Sequence, residues 1–373
     1  MELVLRKTDL LRELQLMQGI VERKTTIPVL ANLLMEADAN EIRLLATDLE
    51  VGLRSRCEAS VARPGTVTIP AKKLFEIVRS LPETDVRIEE DRGGVKIAAD
   101  RFDSRLATQA AEEFPQVPTG AEEYPETLAA AGLRQMVKKT QFAITGEDTR
   151  YFLNGGLLVL GPDAMVLVAT DGHRLAHVKV PREAPAGKKG GEGEELRVIL
   201  PKKTLSELDK LLGEGAEVVQ FARTENHLFF KVDERVLISR VIDGQFPAFE
   251  RVIPRTNDKK IDFERDKLTS AIRRVSLLSN ERSRAVKLQI EAGQVEVTSS
   301  SPEVGDAREL LMVEYSGPAL QVCFNAQYLL DFLTAVETDQ VVLEFKDEVS
   351  QAVMRPVGAE GYDYLYVIMP MRI

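Results

Sequence analysis

The residues able to do chemistry do not assemble into a catalytic set. His173, His177 and His227 are the only histidines in the 373-residue chain. Asp171-Gly172-His173-Arg174, with His177 beyond it, invites a metal reading. If Arg174 to Val180 is a strand, His173 and His177 stand roughly 13 Å apart, too far for one ion without a bend. A hydrolase built on Asp171 and His173 would need a nucleophile, and no Gly-x-Ser-x-Gly elbow occurs. Glu89-Glu90 and Glu112-Glu113 are adjacent pairs that point apart in extended chain and read as solvated surface. Pro185 to Glu195 is rich in Gly, Lys and Glu but lacks Gly-Lys-Ser/Thr opening a helix, so it reads as a mobile loop and not a phosphate cradle. Cys57 and Cys323 read as small buried hydrophobes, not as a disulfide or metal pair. Neither cofactor nor metal is expected, and a reducing cytoplasm is.

What remains is positive charge at recurring places. Arg6, Lys7, Arg12, Arg23 and Lys24 outnumber Asp9, Glu13 and Glu22 around a first helical pattern. Arg134, Lys138 and Lys139 mark a second, and Arg265, Lys267, Arg273 and Arg274 a third. Lys72, Lys73 and Arg79, then Lys202, Lys203 and Lys210, add to the first two sets, whereas Asn325, Ala326 and Gln327 hold the corresponding place in the third. The net charge of −10 argues against bulk wrapping of nucleic acid but leaves room for a basic stripe on one face. With no Trp, such a surface suits phosphate-backbone contact more than base stacking.

The elements that would position these residues repeat. Ile69 to Glu90, Leu200 to Phe221 and Phe324 to Phe345 each read as an amphipathic helix, a short turn and a strand. Their offsets, 201 − 70 = 131 and 325 − 201 = 124, are each about a third of the chain. Ala46-Thr47-Asp48 and Ala169-Thr170-Asp171 recur 123 residues apart, and Glu113-Phe114-Pro115 is echoed by Gln245-Phe246-Pro247. Thr8 or Asp9 is the expected N-cap of the first helix. Strands are expected at Leu30 to Ala37, Glu41 to Thr47, Val51 to Ala59, Asp85 to Glu89, Gly94 to Ala99, Phe152 to Leu160 and Met165 to Thr170. Gly120 to Glu126 and Pro254 to Lys260 read as linkers. The expected fold is α+β: three similar domains over residues 1–121, 127–253 and 259–373, each with two helices packed on antiparallel sheets. No apolar run of membrane-spanning length occurs, so no membrane partner is expected.

Five stretches then carry a resemblance that covers the whole length. They are Thr170-Asp171-Gly172-His173-Arg174-Leu175-Ala176, Arg150-Tyr151-Phe152-Leu153-Asn154-Gly155, Asp243-Gly244-Gln245-Phe246-Pro247, Leu278-Ser279-Asn280-Glu281 and Met369-Pro370-Met371-Arg372. Together they resemble the bacterial DNA polymerase III beta subunit, the sliding clamp family. The resemblance implies a non-enzymatic processivity factor: a head-to-tail homodimer forming a six-domain ring around double-stranded DNA. It would tether the replicative DNA polymerase subunit, the clamp loader, other polymerases and repair proteins through short peptide motifs. The implied peptide pocket comprises Leu153, Thr170, Gly172, His173, Arg174, Leu175, Pro247, Arg251, Val252, Tyr328, Val349, Val367, Met369, Pro370 and Arg372. Implied DNA contacts are Lys24, Lys73, Arg150, Tyr151, Phe152 and Lys202. The implied dimer interface joins Leu277 and Leu278 to the strand around Leu106, with Arg101 and Arg105 facing Glu303 and Asp306. A non-encircling DNA-binding adaptor and a hydrolase are the competing readings; a closed dimer or substrate turnover, respectively, would discriminate them.

Overall fold

Short strands, many of alternating apolar and polar residues, build four antiparallel sheets among the described residues, one large and one small sheet in each of two compact units. The computed structural model describes residues 1–22, 26–146, 148–182 and 195–372. Most of the glycine-rich loop expected at 185–195 therefore lies outside the described residues. One unit comprises Met1–Arg134 and Lys203–Val241; the other comprises Gln135–Lys202 and Ile242–Ile373.

In the first unit, the small sheet runs in the order Ser60–Arg63, Glu2–Arg6, Asp85–Asp91, Gly94–Ala99, Phe102–Ala107. The large sheet runs Glu126–Ala129, Val218–Arg223, His227–Val232, Arg235–Arg240, Val51–Glu58, Glu41–Thr47, Asn32–Asp38, Gly65–Pro70. In the second unit, the large sheet runs Leu196–Pro201, Gly155–Leu160, Ala164–Thr170, Arg174–Pro181, Asp363–Ile368, Ala352–Pro356, Gln340–Phe345, Lys259–Glu264. The small one runs Gly305–Met312, Gln294–Ser301, Ala285–Glu291, Leu320–Asn325. Each large sheet is thus continuous across two successive sequence repeats. The central repeat contributes to both large sheets, which is why the compact units do not coincide with the repeats.

Among the described residues six α-helices occur: α1 (Lys7–Met17), α2 (Ala71–Ser80), α3 (Ala130–Thr140), α4 (Lys202–Leu212), α5 (Arg265–Ser276) and α6 (Ala326–Ala335). Each starts on the residue after a strand ends, so the elementary unit is strand-into-helix, used six times. This corrects the expected N-cap. Helix α1 begins at Lys7 with extended Arg6 as its N-cap, and Thr8 and Asp9 lie inside its first turn. The strands Glu2–Arg6, Glu126–Ala129 and Lys259–Glu264 were not anticipated, and the last two begin inside the expected linkers. The chain around 152 also differs: Tyr151–Leu153 is a 3-10 turn, and the strand starts at Gly155. Packing sets the helices' faces. Leu10, Leu14 and Met17 of α1, and Leu74 and Val78 of α2, are buried, as are Leu268, Ile272, Leu329 and Leu333 of α5 and α6. Among the described residues no helix is long and apolar enough to cross a membrane.

Candidate functional site

The repeated Thr-Asp pair forms the same turn twice. Thr170 Oγ1 donates to the Arg174 carbonyl (2.6 Å) and accepts from Gly172 N (3.1 Å), while Asp171 Oδ1 accepts from His173 N (2.9 Å) and Arg174 N (3.0 Å). In the first repeat Thr47 Oγ1 donates to the Val51 carbonyl (3.1 Å) and accepts from Leu49 N (3.0 Å), and Asp48 Oδ1 accepts from Glu50 N (2.9 Å) and Val51 N (2.6 Å). Both turns need a left-handed residue: Gly172 has φ +87°, and Leu49 takes φ +78°. These are side-chain oxygens replacing the backbone acceptors that a tight turn leaves out of reach.

Arg174 then differs from Val51, and builds a polar hub. Its Nε donates to Asp171 Oδ2 (3.0 Å), Nη1 to Asp331 Oδ2 (2.5 Å) and Nη2 to the Phe142 carbonyl (2.6 Å). Nη1 also lies 3.5 Å from the Tyr366 hydroxyl, and the guanidinium sits 4.3 Å from the Tyr328 ring centroid. Burial works against the charge, but Tyr366, Asp331 and Asp171 more than offset it and hold the pKa above the ordinary arginine value. Only 9% of Arg174 is exposed.

On the opposite face of the same strands lies an apolar cluster. Leu175 pairs with Val367 across adjacent strands, and the two join Leu157, Val168, Val353 and Leu365 in one buried cluster. Phe246 and Phe249, which flank Pro247, pack onto the same cluster. The following turn leaves Arg251 and Val252 exposed. Met369 N donates to the His173 carbonyl (2.9 Å), seating the terminal segment beside the Thr170 turn with Met369 exposed. Val349 is 61% exposed on a turn whose amides bond Asp347 Oδ1. Of the expected pocket residues, Leu153, Thr170, Arg174, Leu175 and Val367 are buried, Tyr328 and Pro370 are half-buried, and Gly172, His173, Pro247, Arg251, Val252, Val349, Met369 and Arg372 are exposed. Such a surface, with exposed apolar anchoring points beside a hydrogen-bonded turn, can hold a short extended peptide. Sequence reasoning did not single out Phe142, Phe249, Asp331 or Tyr366, which support that surface; the available signal was Gln327 and Asp331 one turn apart on a helix that otherwise lost its cations.

The expected DNA contacts are less uniform. Lys24 lies outside the described residues. Lys73 is exposed and pairs with Glu76 (2.9 Å), whereas Lys202 Nζ donates to the Ile144 carbonyl (2.9 Å). Arg150 is exposed and grips Asp148 through Nε (3.0 Å) and Nη2 (2.8 Å), pulling the Asp148 carboxyl down to about 2. Tyr151 is 56% exposed, edge-on to the half-buried Phe152. Other cations of the expected basic faces are paired within the chain. Lys139 is buried and donates to the Ala335 carbonyl (3.1 Å), Lys203 pairs with Asp48, and Arg12 with Glu214 (3.2 Å).

The expected interface residues lie at sheet edges. Phe102–Ala107, carrying Leu106, is an outer strand of one small sheet, and Gly305–Met312, carrying Asp306, is an outer strand of the other. Leu310 and Met312 on that strand are 51% and 75% exposed, and Leu277, at the end of α5, is 78% exposed. Leu278 and Leu106 are half-buried, and Arg101, Glu303 and Asp306 are exposed. Arg105 is exposed but already donates to the Asp91 (3.0 Å) and Arg92 (2.7 Å) carbonyls.

Six strand-into-helix units on shared antiparallel sheets, with exposed apolar side chains beside the Thr170 turn, have the make-up of a scaffold that presents a binding surface. Comparison with known proteins is specific. Residues 1–118, 127–248 and 250–372 match the N-terminal, central and C-terminal domain families of the DNA polymerase III beta subunit. The Beta sliding clamps of Pseudomonas putida and Escherichia coli are 37% and 33% identical to this chain, each with full coverage of both sequences. Crystal structures of sliding clamps from Pseudomonas aeruginosa and Bartonella birtlesii, both bound to griselimycin, superpose with TM-scores of 0.91 and 0.92 at 36% and 35% identity over the whole of both chains. The chain belongs to the DNA polymerase III beta subunit family, the bacterial DNA sliding clamps.

Proposed function

We propose that two copies of this chain close head to tail into a six-domain ring around duplex DNA in the cytoplasm. The ring binds without sequence specificity and performs no turnover. It tethers the replicative polymerase, the clamp loader, other polymerases and repair proteins, each through a short peptide held at the Thr170–Leu175, Pro247–Val252 and Val367–Arg372 groove. The proposed domains are 1–121, 127–253 and 259–373. Lys24, Lys73, Arg150, Tyr151, Phe152 and Lys202 face the DNA. The observation that carries this reading is the full-length match to sliding clamps in all three domain families.

The proposed closure also has physical support. Two outer strands, Phe102–Ala107 and Gly305–Met312, end the small sheets with backbone groups available for pairing and apolar side chains exposed. Pairing one copy's first edge with the other copy's second edge, twice, removes all of these ends and covers Leu277. Fully burying a leucine that is then truncated to alanine costs about 2–5 kcal/mol per site. Replacing both Leu277 and Leu278 by Ala should therefore give a folded monomer that no longer stays on DNA. The parent should sediment near twice 41.5 kDa. A double variant that still sediments as a dimer at low micromolar concentration would refute this interface, and a monomeric parent would refute the ring.

A further inference from the structure

We infer that Arg174 serves the peptide groove chiefly as a positioning residue, and that Asp331, outside the expected groove residues, is its essential partner. The inference rests on the groove proposed above. Four N–H directions of the guanidinium meet Asp171, Asp331, Tyr366 and the Phe142 carbonyl, and Tyr328 covers one face. Five N–H groups in a rigid plane are all that an arginine has, so little remains to offer a ligand. What the side chain does instead is join three pieces of chain. Asp171 belongs to the groove turn; Phe142 follows α3; Asp331 and Tyr328 lie on α6, with Asp331 held in turn by Gln327 (2.7 Å). Tyr366 closes the circuit by donating to the Tyr328 carbonyl (3.0 Å) from the strand that carries Val367 into the groove.

The first repeat provides an internal comparison. There the same turn has Val51 in place of Arg174, and its Asp48 carboxylate takes a cation directly from the next repeat's second helix, Lys203 of α4. At both places the turn's aspartate is tied to the following repeat's second helix. Only where the groove lies is the tie routed through an arginine to a second carboxylate. A latch that fixes the Thr170 turn and the Tyr366–Val367 strand before a peptide arrives lowers the ordering cost of binding.

The test is Asp331→Asn, which removes the charge but keeps shape and does not alter a groove-lining residue. A synthetic peptide carrying the clamp-binding segment of a replicative polymerase is titrated by calorimetry and stopped flow. Expected is a loss of about tenfold in affinity, seen mainly as slower association and a less favourable entropy, in a protein that melts at a somewhat lower temperature but remains folded and dimeric at the temperature of the titration. Arg174→Gln added to Asp331→Asn should weaken binding little further, because both act through one latch, and Arg174→Lys, lacking the fork, should not restore it. Parent-like affinity in Asp331→Asn, or additive losses in the double variant, would overturn the inference. Met369→Ala separates the two ideas: if it weakens the peptide while Asp331→Asn does not, only the latch fails. If neither changes affinity, the groove itself is misplaced.

Discussion

At the scale of single residues, the histidine and arginine of one hairpin show what spacing conveys and what it hides. The 123-residue repeat of Ala-Thr-Asp was visible in the sequence, and the two turns are built from the same four hydrogen bonds. The partner that Arg174 reaches is 157 residues further on, and no local period encodes such a contact. Charge counting misled for the same reason: Glu13 and Lys139, on the supposedly basic helical faces, are buried, the former bidentate to Arg235 at 2.6 and 2.9 Å. His177 carries a prediction. It sits on its strand half-buried against Phe249, with ring centroids 5.7 Å apart, and burial pushes its pKa below 6.5, with Asp363 pulling the other way. The unfolded chain therefore binds a proton near 6.5 that the folded chain resists, so stability rises with pH across that window and is lost as pH falls below it. Unfolding by urea should need less denaturant at about pH 5.5 than at about pH 7.5, and His177→Gln should reduce that difference. An unchanged pH slope in the variant would assign the loss to other groups.

At the scale of elements, the second helix of every repeat was legible, because its apolar face is long enough to beat alternative readings. The three strands that lead into the first helices were not. Glu2–Arg6 is five residues long and ends directly on the charged start of α1, so its alternation is too short to stand out from the helix that follows. Glu126–Ala129, of four residues, follows acidic and proline-bearing chain that carries every sign of a linker. Pairing with Val218–Arg223, about ninety residues downstream, is what makes it a strand. The proposed groove rests on resemblance, since the walls assigned to it come from a hairpin, a connector and the terminal segment, which are far apart in sequence. Its test belongs at this scale. Met369 is 37% exposed and its amide is fixed on the His173 carbonyl, so part of its side chain is open to a ligand beside the Thr170 turn. Met369→Ala combined with His173→Ala should weaken a polymerase-derived peptide by tenfold or more, roughly 1.4 kcal/mol, while leaving the melting temperature in place. Different partner peptides should compete for the same surface. Unchanged affinity in a variant that remains folded would move the groove elsewhere.

At the scale of the whole molecule, the question is how a chain of net charge −10 stays on DNA. Direct attraction should be weak: Lys202 bonds the Ile144 carbonyl, Lys203 pairs with Asp48, and Arg150 and Lys73 pair with Asp148 and Glu76. Each phosphate contact that does form loses strength as salt rises, because counterion release is its driving force. A closed ring needs no tight contact, since escape requires opening an interface or reaching a DNA end. Once loaded on a nicked circle, the protein should persist at salt concentrations that abolish its binding to short duplex. A single restriction cut should release it quickly under the same conditions. Replacing Lys24, Lys73 and Lys202 by Ala should impair loading more than retention, because loading needs an attractive surface and retention needs only closure. Gel filtration of the loaded circle before and after the cut measures this directly. Equal retention on circle and linear DNA would mean ordinary binding, and the encircling mechanism would have to be given up.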